Sequence, residues 1–229
     1  EGIALSQAAN NRWGEAIMHY TPALVHLQRL EVEAGLAHAR ASLRLAEEGG
    51  VILVQFYMNL FQSLLHLAAK DYEAAIRLAE ESLAIAGQHL PVLMPAPSGV
   101  MAIAHLALGD QETAGELVGS YRIDSDQLSM IKMLLPELGK CWYLLVQEAY
   151  ADLLTITTKV VAFGEEQGLS LAMPQFYLIQ GQGYLGLGNM AAARKSGQTG
   201  LALLDKTGGR WGLSELENLL ADIEGRNGN

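Results

Sequence analysis

Three of the chain's six histidines share one spacing, each followed five residues later by a carboxylate: His26 with Glu31, His66 with Asp71 and His105 with Asp110. Imidazole and carboxylate could together ligate zinc or respond to protons. Zinc needs its nitrogens within about 2.1 Å. Matched side chains on successive packed helices are about 8–10 Å apart, the spacing of the helices themselves. Two further copies of the phrase carry tyrosine instead, Tyr143 with Glu148 and Tyr184 with Asn189. A position that accepts either ring reads as a packing site, with a metal site and a pH-responsive core as the alternatives.

Other motifs are weaker. Gly181-Gln182-Gly183-Tyr184-Leu185-Gly186 has the spelling of a dinucleotide-binding loop. That loop must follow a strand and open a helix. Here Phe176-Tyr177-Leu178-Ile179 precedes it in helical register, so the glycines read as close helix contacts. Asp124-Ser125-Asp126 begins like a calcium loop, but Ser129 and Leu135 stand where that loop needs glycine and glutamate. The acid pairs Glu47-Glu48, Glu80-Glu81 and Glu165-Glu166 read as solvated helix faces. Cys141, the single cysteine, lies in an apolar stretch beside Trp142 and Tyr143, where a thiol is usually inert. There is no Walker loop, nucleophile elbow or His-Glu-x-x-His. The sequence therefore predicts no enzyme activity, no cofactor and no metal.

The elements that hold these residues are legible from the same phrase. Its five copies are 40, 39, 38 and 41 residues apart. Such a period marks stacked units that cannot bury their apolar faces alone. Eight residues before the acid or amide stand Ala23, Ser63, Ala102 and Gly181; four after it stand Gly35, Ala75, Ala114 and Ala193; eight after it stand Ala39, Ala79, Val118 and Gly197. Small side chains let helices approach closely, and the acid or amide can cap the next helix. In the fourth copy, counting from Glu148 puts Lys140 and Asp152 at the small sites, whereas counting from Gln147 recovers Gly139, Ala151 and Thr155.

Each unit thus reads as helix A, a tight turn and helix B. The expected pairs are 11–29 with 31–48, 51–69 with 71–88, 98–108 with 110–121, 132–146 with 149–167, and 174–187 with 190–207. Pro95 and Pro174 fall where a first helical turn tolerates proline, and Pro22 predicts a kink in the first A helix. Arg12-Trp13-Gly14 recurs as Arg210-Trp211-Gly212 after 198 residues, five periods of 39.6. A last A-type helix, from Ser214 to Ile223, should then lie over the end of the array. We expect one domain over 1–224, with repeats near 11–49, 50–89, 90–125, 126–168 and 169–209, a capping helix at 211–224 and a frayed tail at 225–229.

The bulk numbers bound the function. A formal net charge of −10 and the lack of any basic run argue against direct nucleic-acid binding. The apolar run from Val51 to Leu65 is interrupted by Gln55, Asn59, Gln62 and Ser63, too short and too polar to cross a membrane. One cysteine allows no internal disulfide framework and fits a reducing, cytoplasmic compartment. The chain opens as if inside a helix, with Ile3, Ala4, Leu5 and Ala8, so we expect a segment of a longer protein.

The order of small residue, aromatic, Leu-Gly-Asp/Asn turn and alanine resembles the tetratricopeptide repeat, most clearly at Leu108-Gly109-Asp110 and Leu187-Gly188-Asn189. Units longer than the usual 34 residues resemble the tetratricopeptide-like regions of bacterial LuxR-type ATP-dependent transcription activators and ATPase-linked nucleotide cyclases. The resemblance implies an all-α, right-handed superhelical solenoid of about five antiparallel helix pairs, acting as a non-catalytic interaction or regulatory module in signalling or transcription control. It also implies a concave face lined by A helices. Carried onto this chain, that lining is Ile17, Tyr20, Leu24, Tyr57, Leu60, Leu64, Ile103, Leu134, Cys141, Gln175, Leu178 and Gln182. This mostly apolar set suits an amphipathic or apolar partner segment, a neighbouring domain of the parent protein or a second copy of the chain. The alternative is a small-molecule sensor whose superhelix changes curvature. On the partner reading, Leu64→Asp is expected to abolish binding and spare the fold.

Overall fold

The computed structural model describes residues 2–121 and 130–227, with backbone alone at 130–133 and 227. Asp124-Ser125-Asp126 and the end of the tail lie outside the described residues. The described chain is all-α. Its helices are α1 (Gly2–Ala8), α2 (Arg12–Arg29), α3 (Val32–Glu48), α4 (Ile52–Ala68), α5 (Tyr72–His89), α6 (Pro95–Ala107), α7 (Gln111–Gly119), α8 (Met130–Val146), α9 (Tyr150–Glu166), α10 (Met173–Gly186), α11 (Met190–Thr207) and α12 (Leu213–Asn227), with a 3-10 turn at Pro91–Leu93.

One turn recurs at the five connections that carry the repeated phrase. The backbone N–H groups of Glu31, Asp71, Asp110, Ala149 and Asn189 donate to the carbonyls of His26, His66, His105, Leu144 and Tyr184 at 2.8–2.9 Å. The residue before each of those donors is left-handed, with φ of 56° at Leu30, 63° at Lys70, 85° at Gly109, 54° at Glu148 and 75° at Gly188. This is the Schellman ending, which satisfies the last carbonyls of one helix while starting the next. Gly109 and Gly188 adopt it without a Cβ penalty. Asp71, Asp110 and Asn189 then accept from the N–H groups of Ala74, Thr113 and Ala192, capping the following helix.

The fourth turn corrects the register. Its N-cap is Ala149, not Glu148 or Gln147. The caps at 31, 71, 110, 149 and 189 are therefore 40, 39, 39 and 40 residues apart, more even than the sequence phrase. The positions equivalent to the small sites become Cys141, Leu153 and Thr157, each 0% exposed. Asp152, Ala151 and Thr155 are all exposed. Larger residues at the tight positions of this unit hid its register.

The small sites bring A and B helices together. Ser63 Oγ donates to the Ala75 carbonyl at 2.7 Å. At the same pair of positions, a Cβ added to Gly181 would sit 3.3 Å from the Ala193 carbonyl. A second recurring bond crosses each of the first two pairs: Ser42 Oγ to the Ala16 carbonyl at 2.7 Å and Ser82 Oγ to the Phe56 carbonyl at 3.1 Å. Both buried hydroxyls are thus partnered, as burial requires.

The chain divides into two compact units, Glu1–Pro136 and Glu137–Asn229. In the first, each helix from α2 to α7 packs on the next, and α2 also touches α4 as α4 touches α6. In the second, α9, α10, α11 and α12 pack in sequence, and α10 touches α12. The last helix covers α10 and α11 through Leu216, Leu219 and Ile223, which join Leu178, Ala193 and Leu204 in a buried cluster. The 198-residue match does not frame equivalent sites: Gly14 lies within α2, whereas Gly212 precedes α12 at φ 91°. Proline opens α6 at Pro95 and stands second in α10 at Pro174, while α2 runs continuously through Pro22.

Candidate functional site

The repeated histidines serve their own turns. His26, His66 and His105 place Nδ1 at 2.5, 3.0 and 3.1 Å from Glu31, Asp71 and Asp110. Each ring therefore holds the carboxylate that begins the next helix. Hydrogen bonds from the Thr113 hydroxyl and N–H hold the Asp110 carboxyl below its ordinary value. Among the described residues no group of three or more His, Cys, Asp or Glu is arranged to hold a metal ion.

The expected groove residues divide by burial. Leu60, Leu64, Cys141, Gln175 and Leu178 are buried, at 3%, 1%, 0%, 6% and 0% exposure. They are core, and at 1% exposure Leu64→Asp is expected to disturb the fold itself. Ile17, Tyr20, Leu24, Tyr57, Ile103, Leu134 and Gln182 are half-buried and keep an accessible side. In the first unit Tyr20 packs edge-on against Tyr57 and Phe61, with centroids 6.0 and 4.9 Å apart. This aromatic joint links α2 to α4. Burial raises both tyrosine pKa values, and at Tyr20 the neighbouring Tyr57 adds to the effect.

In the second unit Gln182 lines an open cleft of about 520 Å³. Its walls come from the end of α8 (Leu145), the start of α9 (Tyr150), α10 (Gln182, Leu185, Gly186) and α12 (Glu215, Asn218, Leu219, Asp222, Arg226). The glycines of the dinucleotide-like phrase explain how these helices approach. A Cβ at Gly181 would meet Leu219 at 2.5 Å, one at Gly183 would meet Leu153 at 2.6 Å, and one at Gly186 would strike the Tyr150 ring at 2.4 Å. The phrase is a packing device on two sides of α10, toward α12 and toward α9. Between two of those glycines, Gln182 Oε1 is buried with no hydrogen-bond partner. An unpaired buried acceptor costs about 1–3 kcal/mol. Sequence reasoning found Gln182 but missed Tyr150, Glu215, Asn218 and Asp222. The three on α12 lie at 215, 218 and 222, one helical face, a signal present in the sequence.

No family model matches this chain. No curated protein matches it. Among the described residues, no helix is long and apolar enough to cross a membrane.

Glu137 and Cys141 form a separate buried pair on α8. Burial pushes the Cys141 thiol up, and the Glu137 charge adds to that effect, so this thiol is not a ready nucleophile. Glu137 is 7% exposed and its Oε2 has no partner. Burial raises its carboxyl pKa, opposed by Lys140 and Lys159. Its neutral form favours the fold, so that contribution is full below about pH 4.5 and is lost as pH rises through the higher folded value. Glu137→Gln, which keeps the shape without the charge, should raise stability by about 1 kcal/mol at pH 8. Urea midpoints measured from pH 5 to 9 should fall more steeply in the wild type than in the variant.

Proposed function

We propose that the chain is a tetratricopeptide-like solenoid, a non-catalytic interaction module of a larger cytoplasmic bacterial protein in signalling or transcription control, and that it binds a partner segment along its A helices. The observation that carries this reading is the cleft of the second unit, where α10 and α12 bring Gln182, Leu185, Asn218 and Asp222 to one opening. Leu145 and Leu185 offer apolar contact to an amphipathic segment. Asp222 offers a carboxylate to a lysine or arginine of that segment. The favoured partner is therefore amphipathic with a basic residue, rather than purely apolar. The recurrent Schellman turns and close A/B contacts support the repeat assignment. A small effector is the second reading, supported by a cleft volume within the range of about 300–1,000 Å³ typical of ligand sites.

Peptide-display selection on the wild-type chain tests this reading. Selected peptides should be amphipathic, carry lysine or arginine, and bind Asp222→Lys at least about tenfold more weakly, since reversing one charge of a close pair costs on the order of 1.4 kcal/mol or more. Peptides that bind wild type and variant equally would contradict the placement.

A further inference from the structure

A histidine pair that the repeat phrase does not contain joins the two helices of the first hairpin. His19 of α2 and His38 of α3 bring their Nδ1 atoms to 2.8 Å. Their ring centroids are 5.1 Å apart, and His38 is stacked on His26 at 5.4 Å and 13°. All three rings are half-buried. At this separation one Nδ1 donates its N–H and the other accepts with its lone pair. A second proton removes the acceptor and sets two N–H groups, both cationic, against each other.

We propose that α2 and α3 form a proton-sensitive joint, closed while His19 and His38 share one hydrogen bond and loosened when both rings carry a proton. The surroundings do not offset a second charge. Glu15 on α2 favours a charged His19, but Arg44 on α3 opposes it, and His38 faces the stacked His26. Glu31, at the start of α3, is already held by His26 at 2.5 Å. The other helices packed on these two are α1 and α4, and neither carries Asp, Glu, Lys or Arg. The titratable groups of α4 are Tyr57, set against Tyr20, and His66, bonded to Asp71. Burial is the first cause holding both pair members below the ordinary histidine value of 6.5, and neighbouring histidines are the second. The unfolded chain therefore binds protons first, so the stability of this hairpin is full above about pH 6.5 and is lost as pH falls toward the folded values. Loosening would expose Ala16, Ala23, Leu27, Leu36 and Ala39, all buried at or beside this contact.

Hydrogen exchange of the whole chain, resolved by peptide and corrected for intrinsic rates, reads the effect locally. From pH 7.5 to 5, peptides of α2 and α3 should lose about tenfold more protection than those of α10 and α11. His38→Asn should remove that excess, and His89→Asn, outside the cluster, should keep it. His19→Asn provides the same test from α2 should His38→Asn fold poorly. An equal loss in both units, or an unchanged response in a folded pair variant, would overturn the proposal.

Discussion

Leu64→Asp is expected to unfold the α4/α5 region rather than to silence a binding surface. Leu64 is 1% exposed within a run of α4 that is buried from Met58 to Leu65. Truncating a core leucine to alanine already costs about 3–5 kcal/mol. Aspartate adds a carboxylate with no partner, in a helix that carries no Lys or Arg. The group must either ionise without compensation or remain protonated, and both penalise folding. A total near 5 kcal/mol is comparable to the whole stability of a modest domain. Far-UV dichroism should show lost helicity at 25 °C. A folded Leu64→Asp chain that had lost only peptide binding would restore the apolar-groove reading.

Gly99→Ala should be strongly damaging for a single added methyl. Gly99 lies in α6, and a Cβ there would stand 2.3 Å from the Leu135 carbonyl oxygen and 2.8 Å from the Pro136 Cα. The obstacle is backbone, so no rotamer change relieves it. Proline at 136 also fixes φ and leaves no N–H at that point of α8, so the local backbone has little room to adjust. Overpacking of this kind costs about 1–3 kcal/mol, and we expect the upper end. Gly87→Ala is the control. It lies in α5 with nothing within 4 Å of its would-be Cβ, and it should gain up to about 1 kcal/mol of helix propensity. Urea midpoints should therefore move in opposite directions for the two variants. Equal and small shifts would show that α6 and α8 are not in close backbone contact.

The sequence carried the helices well, because their signals are local. The five turns announce themselves through aromatic, leucine and cap, and the observed boundaries of the first two pairs differ from the expected ones by one residue at most. The register of the fourth unit was hidden for a physical reason. Its tight positions hold Cys141, Leu153 and Thr157, and its cap is Ala149 without a side-chain acceptor. The nearest acid, Glu148, stands one place before the cap, and the small residues Gly139, Ala151 and Thr155 stand two places before the tight positions. The Arg-Trp-Gly match misled because it is a likeness of spelling: one copy lies inside a helix and the other before one.

Burial was the harder quantity. Periodicity places Leu60, Leu64 and Leu178 on one side of their A helices, but it does not say whether that side is covered. Leu178 is covered by Leu216, Leu219 and Ile223 of α12, and Leu60 and Leu64 lie buried in α4. The polar half of the cleft was invisible for a related reason. Glu215, Asn218 and Asp222 belong to the last helix, which the sequence assigned only the task of hiding apolar surface. The His19–His38 contact depends on the pairing of α2 with α3 at a register that no local motif records.

The account rests most on the cleft between α10 and α12 as the recognition surface. Two-dimensional amide NMR of the chain, titrated with the tightest peptide from the display selection, tests it directly. Shifts concentrated at Gln182, Leu185, Asn218, Leu219 and Asp222 are predicted. Shifts confined instead to the opposite cleft lined by Thr199, Leu203 and Lys206, or spread evenly along α11, would contradict it.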